Sequence, residues 1–219
     1  MTDEIKQEVI EQVDLDVKFG FENRQQLFTS IREMFYSEND FDEGWLKMKI
    51  NEKFSSHEKD SSNWLRPTDF DRLAAAFDQL IAEKIVCLHN AGYTKSDGEG
   101  DCFETMDRLD ELGIETIGFC YYHSQDLARA VDPNIKNLYI GFDSRTQDDT
   151  KALFVANKIV DKLKFCGFQI FWPGTVDQRI ELKNIDWKKL PDDQNWGAER
   201  AIQILLKSKE SVKPFWKFW

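Results

Sequence analysis

Strand-like runs alternate with helical segments in the second half of the chain, and this alternation restricts the folds available to it. Residues 114–122, 138–142 and 168–172 are rich in β-branched and aromatic side chains, as the strands of a buried sheet are. Between these runs, helical segments are predicted over 125–131 and 148–165. The sequence therefore predicts that helices and strands are interleaved along this part of the chain.

A hairpin closes the alternating region. Pro173-Gly174 is a turn signal, and residues 179–182 then return as an antiparallel partner of the preceding strand. The order strand, helix, strand, helix, hairpin predicts an α+β fold, an α/β sandwich of ferredoxin-like character with helices mainly on one face of the sheet. A doubly wound parallel sheet is the alternative.

Helical periodicity dominates the first half of the chain. The spacing of apolar residues predicts helices over 3–18 and 22–36, and it favours a short helix over 45–54. The serine-rich stretch 55–63 indicates a loop or a domain boundary. One long helix is then predicted over 69–90, and a short strand over 93–97.

The chain is expected to have three parts: an N-terminal helical segment at 1–60, the sandwich domain at 67–190, and a C-terminal helix with an aromatic tail at 191–219. The tail places four aromatic residues in five positions, namely Phe215, Trp216, Phe218 and Trp219. Such a cluster would be sticky in water. It is expected to pack on the protein itself, to pair two copies in a homo-oligomer, or to anchor a partner.

The net charge narrows the classes of partner. The chain carries a formal charge of −11 at pH 7. Phosphate backbones and anionic membranes repel such a surface, so neither nucleic acid nor a membrane is expected as a partner. A basic protein surface suits it, because complementary charges speed the encounter of two proteins. Alternatively, the negative charge serves only to keep the protein soluble.

Cysteine usage and the first residues indicate a reducing compartment. Cys87, Cys102, Cys120 and Cys166 form no Cys-x-x-Cys pair, which is typical of free thiols in the cytosol. The polar start MTDEIKQEV lacks the features of a signal peptide. We therefore expect a cytoplasmic protein. Since no nucleotide-binding or zinc motif is present, no cofactor is expected.

The strongest candidate site lies where a predicted strand ends and a helix begins. His123 could act as an acid or base near neutral pH, with Asp126 to orient it and Ser124 as a nucleophile. Tyr122 and Gln125 would line such a site, because strand-to-helix junctions commonly hold ligands in α/β folds. Structural roles explain the same residues and are favoured: Ser124 is the N-cap of the helix, Asp126 complements the helix dipole, and His123 packs at the junction.

A second candidate is a predicted glycine-containing loop. Asp97, Glu99 and Asp101 alternate with glycines there, and hard cations such as Ca²⁺ favour oxygen ligands on a flexible loop. Arg108 occupies the place where an EF-hand needs a bidentate Glu. A solvated turn is therefore favoured, and no metal site is predicted.

The predicted hairpin carries a third candidate. Trp172 stands at its mouth and Arg179 begins its second strand. An arginine on an acidic protein could bind the carboxylate or phosphate group of a ligand. An internal salt bridge is the favoured role for Arg179.

Four segments resemble an uncharacterised bacterial family, a domain of unknown function: HNAGYTKSDG (89–98), GFCYYHSQDLARAV (118–131), LYIGFDS (138–144) and GFQIFWPGTVDQRIEL (167–182). This resemblance covers about residues 68–185 and implies no established activity.

A weaker similarity is to the regulator of ribonuclease activity B, a small acidic α/β sandwich that binds and inhibits an endoribonuclease. The matching pieces are 91–97, 138–143, 148–165 and 168–175. The chain departs from that family by inserting 102–137 and by ending in aromatic residues. The similarity therefore implies the sandwich architecture rather than the inhibitor role.

The sequence thus favours a non-enzymatic, acidic binding or regulatory protein, inhibitor-like or immunity-like, that acts on a protein partner. This expectation rests on the charge, the aromatic tail and the lack of a catalytic motif. The alternative is a hydrolase or transferase with its site around His123 and Asp126.

Overall fold

The computed structural model describes residues 1–211, and the side chains of 1–209 within them. The described residues form eight α-helices and one five-stranded sheet, so the predicted α+β class is confirmed. The predicted contacts of Phe215, Trp216, Phe218 and Trp219 lie outside the described residues. No helix within residues 1–211 has the length and apolar character needed to cross a bilayer. The chain divides into two compact units.

The first unit contains residues 1–70 and 186–194. Its helices are α1 (Asp3–Phe19), α2 (Arg24–Met34) and α3 (Glu43–Ser61). Each begins at a residue whose side chain accepts a backbone N–H, namely Thr2, Asn23 and Asp42. Apolar residues from all three helices fill a common core: Val9, Val13, Val17, Leu27, Ile31, Leu46, Ile50 and Phe54.

The prediction of a loop over 55–63 is wrong, because most of this stretch is the second half of α3. Its serines and charged residues lie on the exposed side of the helix, where polarity carries no cost. His57 is half-buried in this half of the helix, and its Nε2 lies 2.9 Å from the carbonyl oxygen of Lys189. Phe54 is the last residue of α3 that is buried in the core of this unit, and the helix extends about two turns beyond it.

The second unit contains 71–185 and the segment from Asn195. In chain order its elements are α4 (Asp69–Ala82, which begins in the first unit), β1 (Ile85–Leu88), α5 (Lys95–Glu111), β2 (Gly118–Tyr121), α6 (Ser124–Val131), β3 (Leu138–Ser144), α7 (Asp149–Phe165), β4 (Gln169–Phe171), β5 (Ile180–Lys183) and α8 (Ala198–Ser211). The strand order is β1-β2-β3-β5-β4, so β1 and β4 are the two edges of the sheet. Strands β1 and β2 run parallel, and the remaining neighbours run antiparallel. The predicted hairpin is therefore confirmed as β4–β5.

Two predicted elements are wrong. The helix predicted over 69–90 ends at Ala82, and Ile85–Leu88 form the edge strand β1. Lys84 makes this change possible with a left-handed backbone at φ 70°. The short strand predicted over 93–97 is instead the start of α5, where Thr94 accepts the N–H of Asp97.

Two glycines give Tyr121 its place in the second unit. A Cβ atom at Gly98 of α5 would lie 2.4 Å from Cδ2 of the Tyr121 ring, and one at Gly141 of β3 would lie 2.6 Å from its Cζ. The ring is fully buried between these two backbones. The absence of side chains at both positions therefore lets α5 pack closely on the sheet.

The two parallel strands bring two thiols into contact. Cys87 of β1 and Cys120 of β2 are partners in the strand register, and their sulfur atoms lie 3.3 Å apart. Both side chains are buried, as is Cys102 of α5. All four cysteines are free thiols, as the sequence predicts.

Candidate functional site

The candidate residues His123 and Asp126 meet at the start of α6. His123 follows β2 and is the N-cap residue, so Ser124 is the first residue of the helix rather than its cap. Asp126 turns back toward the helix start, and its Oδ2 lies 3.1 Å from Nε2 of His123. The same oxygen accepts the backbone N–H of His123 at 3.4 Å. The pair is local, since three residues of one helical turn bring it together.

Arg179 reaches this pair from the start of β5. Its Nη1 atom lies 3.0 and 2.9 Å from the two carboxylate oxygens of Asp126, and 3.2 Å from Nε2 of His123. The favoured role of Arg179, an internal salt bridge, is therefore present in the structure. Arg129, one turn along α6, adds a longer contact of 3.5 Å to Asp126. Two guanidinium groups thus share one carboxylate.

Burial sets the charges of the site. The side chain of Asp126 is fully buried and that of His123 is 3% exposed. Burial raises the pKa of Asp126, and the charge of Arg179 opposes this rise. Burial also lowers the pKa of His123, although Asp126 favours the charged imidazole. His123 is therefore neutral at pH 7.

The hydroxyl of Ser124 points away from His123. Its Oγ donates to Oδ1 of Asn90 at 2.9 Å, with the carbonyl oxygen of Gly92 a second acceptor at 3.1 Å. A serine nucleophile needs a base within hydrogen-bond reach, and here both acceptors belong to the loop after β1. Gln125 lies beside it with an exposed side chain.

Tyr122 and Trp172 contact other parts of the second unit. The hydroxyl of Tyr122 lies 2.8 Å from Nδ1 of His89, and burial raises the pKa of this tyrosine. The indole N–H of Trp172 bonds to the carbonyl oxygens of Thr175 and Gln178 at 3.0 and 3.1 Å, which closes the hairpin loop. Tyr122 therefore contacts the residue that follows β1, and Trp172 contacts the loop of its own hairpin.

The loop predicted at 97–101 is wrong, because these residues form the first turns of α5. Oδ2 of Asp97 accepts the backbone N–H and the hydroxyl of Thr94 at 2.8 and 2.9 Å, as a helix-capping residue does. Glu99 forms an ion pair with Lys95 at 3.4 Å. Across the part of the chain that the structure describes, no three His, Cys, Asp or Glu side chains are grouped as metal ligands.

A cleft of about 200 Å³ opens between the end of β1, helix α5 and the start of α8. Asn90, Thr105 and Arg108 line it together with two carboxylates, Asp101 and Glu104. Arg108 is paired with Glu199. Neither Asp101 nor Glu104 forms an ion pair with any residue of the described range. Burial raises the pKa of Asp101, and the neighbouring charge of Glu104 adds to this.

A scan against family models matches the chain to the Domain of unknown function (DUF6891) over residues 2–190. The chain belongs to this family. The predicted resemblance to a domain of unknown function is therefore confirmed, and the match also includes the N-terminal helices. Searches of the curated proteins and of the solved structures found no match. The similarity to the regulator of ribonuclease activity B stays a prediction.

The geometry of this DUF6891 chain includes residues that the sequence reasoning missed. Arg129 joins the Asp126 cluster, and its position three residues after Asp126 on a predicted helix was a usable signal. Tyr139 lies under both arginines, with ring-centre distances of 5.9 Å to Arg129 and 5.1 Å to Arg179. Only the pairing of β3 with β5 brings Tyr139 to Arg179, so no local pattern could reveal it.

Proposed function

We propose that this chain is a non-enzymatic binding or regulatory protein that presents the acidic side of α5 to a basic surface of a protein partner. Exposed carboxylates recur along this helix every three or four residues, and we call them the α5 acidic face: Asp97, Asp101, Glu104, Asp107 and Glu111. The observation that carries the proposal is the state of Asp101 and Glu104. They stand at a cleft, and they have no ion-pair partner within residues 1–209.

Like charges at this helical spacing repel each other by a few tenths of a kcal/mol. Burial and the charge of Glu104 both work against ionisation of Asp101. A cationic group from a partner would relieve this repulsion on binding. The net charge of −11 acts over a longer range, because it steers a basic partner toward the protein at low salt.

The candidate catalytic groups support binding over catalysis. Both oxygens of Asp126 contact Arg179, and the hydroxyl of Ser124 bonds to Asn90 and Gly92. These polar groups therefore join α6 to the start of β5 and to the loop after β1. A nucleophile paired with its base is what a hydrolase of this type would need.

The test is affinity capture from the native host with two charge-matched variants. The first, Asp101→Asn with Glu104→Gln, neutralises the carboxylates at the cleft. The second, Glu4→Gln with Glu8→Gln, removes the same charge from exposed, unpaired positions of α1. We expect a protein partner that is retained by the wild type and the α1 variant and is lost by the cleft variant.

The captured partner is then purified, and its association rate is measured at low and moderate salt. The rate should fall several-fold in the cleft variant and with added salt, while dissociation changes little, as for exposed charges at an interface. The proposal fails if no salt-sensitive partner is recovered. It also fails if both variants bind as the wild type does.

The alternative, a hydrolase or transferase, has one observation in its favour. His123, Asp126 and Arg179 lie within 3.2 Å of one another through their side-chain atoms. A screen with chromogenic ester and phosphoester substrates tests it, with Ser124→Ala and His123→Gln as variants. Turnover that both substitutions abolish would support an enzyme. Turnover that survives in both would remove these residues from any reaction.

A further inference from the structure

We propose that Arg129 and Arg179 together form a binding site for an oxyanion, namely the carboxylate or phosphate group of a small ligand. The site lies on the sheet side of α6, and we call it the paired-arginine site. It uses the positive charge of arginines, whereas the α5 acidic face uses carboxylates. Its ligand chemistry is also the opposite of that expected there.

Each arginine in this site has unused donors. Every contact of Arg179 with Asp126 and His123 is made by Nη1. Arg129 likewise uses Nη1, toward Asp126 and the carbonyl oxygen of Gln125. The Nε and Nη2 groups of both have no hydrogen bond to any described residue. Their side chains are 30% and 45% exposed for Arg179 and Arg129, so a ligand in solution can reach them.

The two guanidinium groups are held in place before any ligand arrives. Both contact Oδ1 of Asp126, at 3.0 Å from Arg179 and 3.5 Å from Arg129. Both also lie over the ring of Tyr139, which favours cations on its face. A planar guanidinium group held in this way loses little conformational freedom when it binds an oxyanion through two parallel hydrogen bonds.

The buried carboxylate is costly if its role is stability alone. Asp126 is fully buried, and a buried ion pair commonly contributes less to stability than an apolar cluster of the same volume would. His123 adds a second cost, because its Nδ1 atom is buried with no hydrogen-bond partner among the described residues. Such costs are typical of functional sites. Here they hold two arginines side by side.

The charges around the site leave it positive. Asp126 compensates one of the two arginines. Glu181 of β5 also contacts Tyr139, but its charge is shared with other groups: its Oε1 accepts from Asn137 at 2.7 Å and from Tyr139 at 3.2 Å, and its Oε2 lies 3.7 Å from Nζ of Lys183. His123 is neutral at pH 7. An incoming oxyanion would therefore meet one uncompensated positive charge in a protein whose net charge is −11.

The test follows the Nε–H signals of Arg129 and Arg179 by NMR while sodium acetate, sodium phosphate or sodium chloride is added at equal ionic strength. We expect a saturable shift of both signals with acetate or phosphate and none with chloride. The stronger of the two responses identifies the group that the site takes. The signal of Arg145 serves as an internal control, because Asp107 and Asp110 already bind its Nη2.

Two variants keep the positive charge but replace the guanidinium group, with its paired N–H donors, by an ammonium group. Arg179→Lys and Arg129→Lys should each weaken binding by about tenfold or more, the size expected for a lost charge-assisted hydrogen bond. Arg145→Lys should leave binding unchanged. Responses equal to those in chloride would overturn the proposal, as would binding that both lysine variants retain in full. Arg129 is the more exposed of the two, so its variant provides the test if Arg179→Lys does not fold.

Discussion

Replacement of the two glycines of α5 by alanine tests how the helix packs on the sheet. Gly98 and Gly100 lie two residues apart in the same helix. A Cβ atom at Gly98 would lie 2.4 and 2.5 Å from two carbons of the Tyr121 ring, whereas a Cβ atom at Gly100 would meet no atom within 4 Å. The two substitutions therefore change helix propensity equally and differ only in packing.

The expected effects have opposite signs. Alanine is favoured over glycine inside a helix by about 1 kcal/mol, so Gly100→Ala should raise the free energy of unfolding by about that amount. Gly98→Ala receives the same gain but forces a methyl group into the ring. The ring cannot move away, because the backbone at Gly141 blocks its other side. Overpacking of this kind costs about 3 kcal/mol, so the net loss should be about 2 kcal/mol.

Urea denaturation followed by circular dichroism measures both changes, and a change of 1 kcal/mol corresponds to about 2–4 °C in melting temperature for a chain of this size. A Tyr121→Leu background provides the specific control, because Gly98→Ala should cost less once the ring is gone. If Gly98→Ala raised the denaturation midpoint as much as Gly100→Ala, the ring would not be confined between α5 and β3. The packing role of Gly98 would then be wrong.

Three further predictions concern single side chains. Burial raises the pKa of Asp16 to about 6, so the free energy of unfolding should fall as pH rises from about 4 to 6. Asp16→Asn should therefore stabilise the protein by about 1–2 kcal/mol above pH 6 and by almost nothing near pH 4. Denaturation midpoints at the two pH values measure this difference. A thiol reagent should label Cys166 first and the three buried cysteines only on unfolding, so Cys166→Ser should abolish the fast phase. Phe77→Ala should cost about 3–5 kcal/mol and Phe154→Ala less than about 0.5 kcal/mol, because the first ring is fully buried and the second is 55% exposed.

Sequence patterns predicted the elements whose signals are local. Helix α7 and the hairpin β4–β5 lie where periodicity and the Pro173-Gly174 turn placed them. Strand β1 could not be found in this way, because Ile85–Leu88 continue the apolar pattern of α4. Only the left-handed backbone at Lys84 separates the two elements. A lysine gives no signal for such a turn.

The glycines at 98 and 100 show a second limit of sequence reasoning. Glycines among carboxylates predict a loop, since glycine disfavours helices. In the structure Gly98 is required by a ring on a strand 23 positions further along the chain. Its role depends on tertiary packing, which no window of local sequence contains.

The candidate site likewise contains one contact that local sequence could predict and one that it could not. His123 and Asp126 lie within one helical turn, so their contact was predictable. Arg179 joins them from a sequence separation of 53 residues, through the register of β5 against β3. The sequence could suggest that Arg179 forms an internal salt bridge, but it could not name the carboxylate.

The short edge strand β4 limits how the sheet can grow. It has three residues, and Pro173 follows soon after it, where the chain has no N–H to offer a further strand. Another chain could therefore form only a few backbone hydrogen bonds along this edge. Fibril-like stacking of copies through β4 is disfavoured for the same reason, although Phe171 is exposed at this edge.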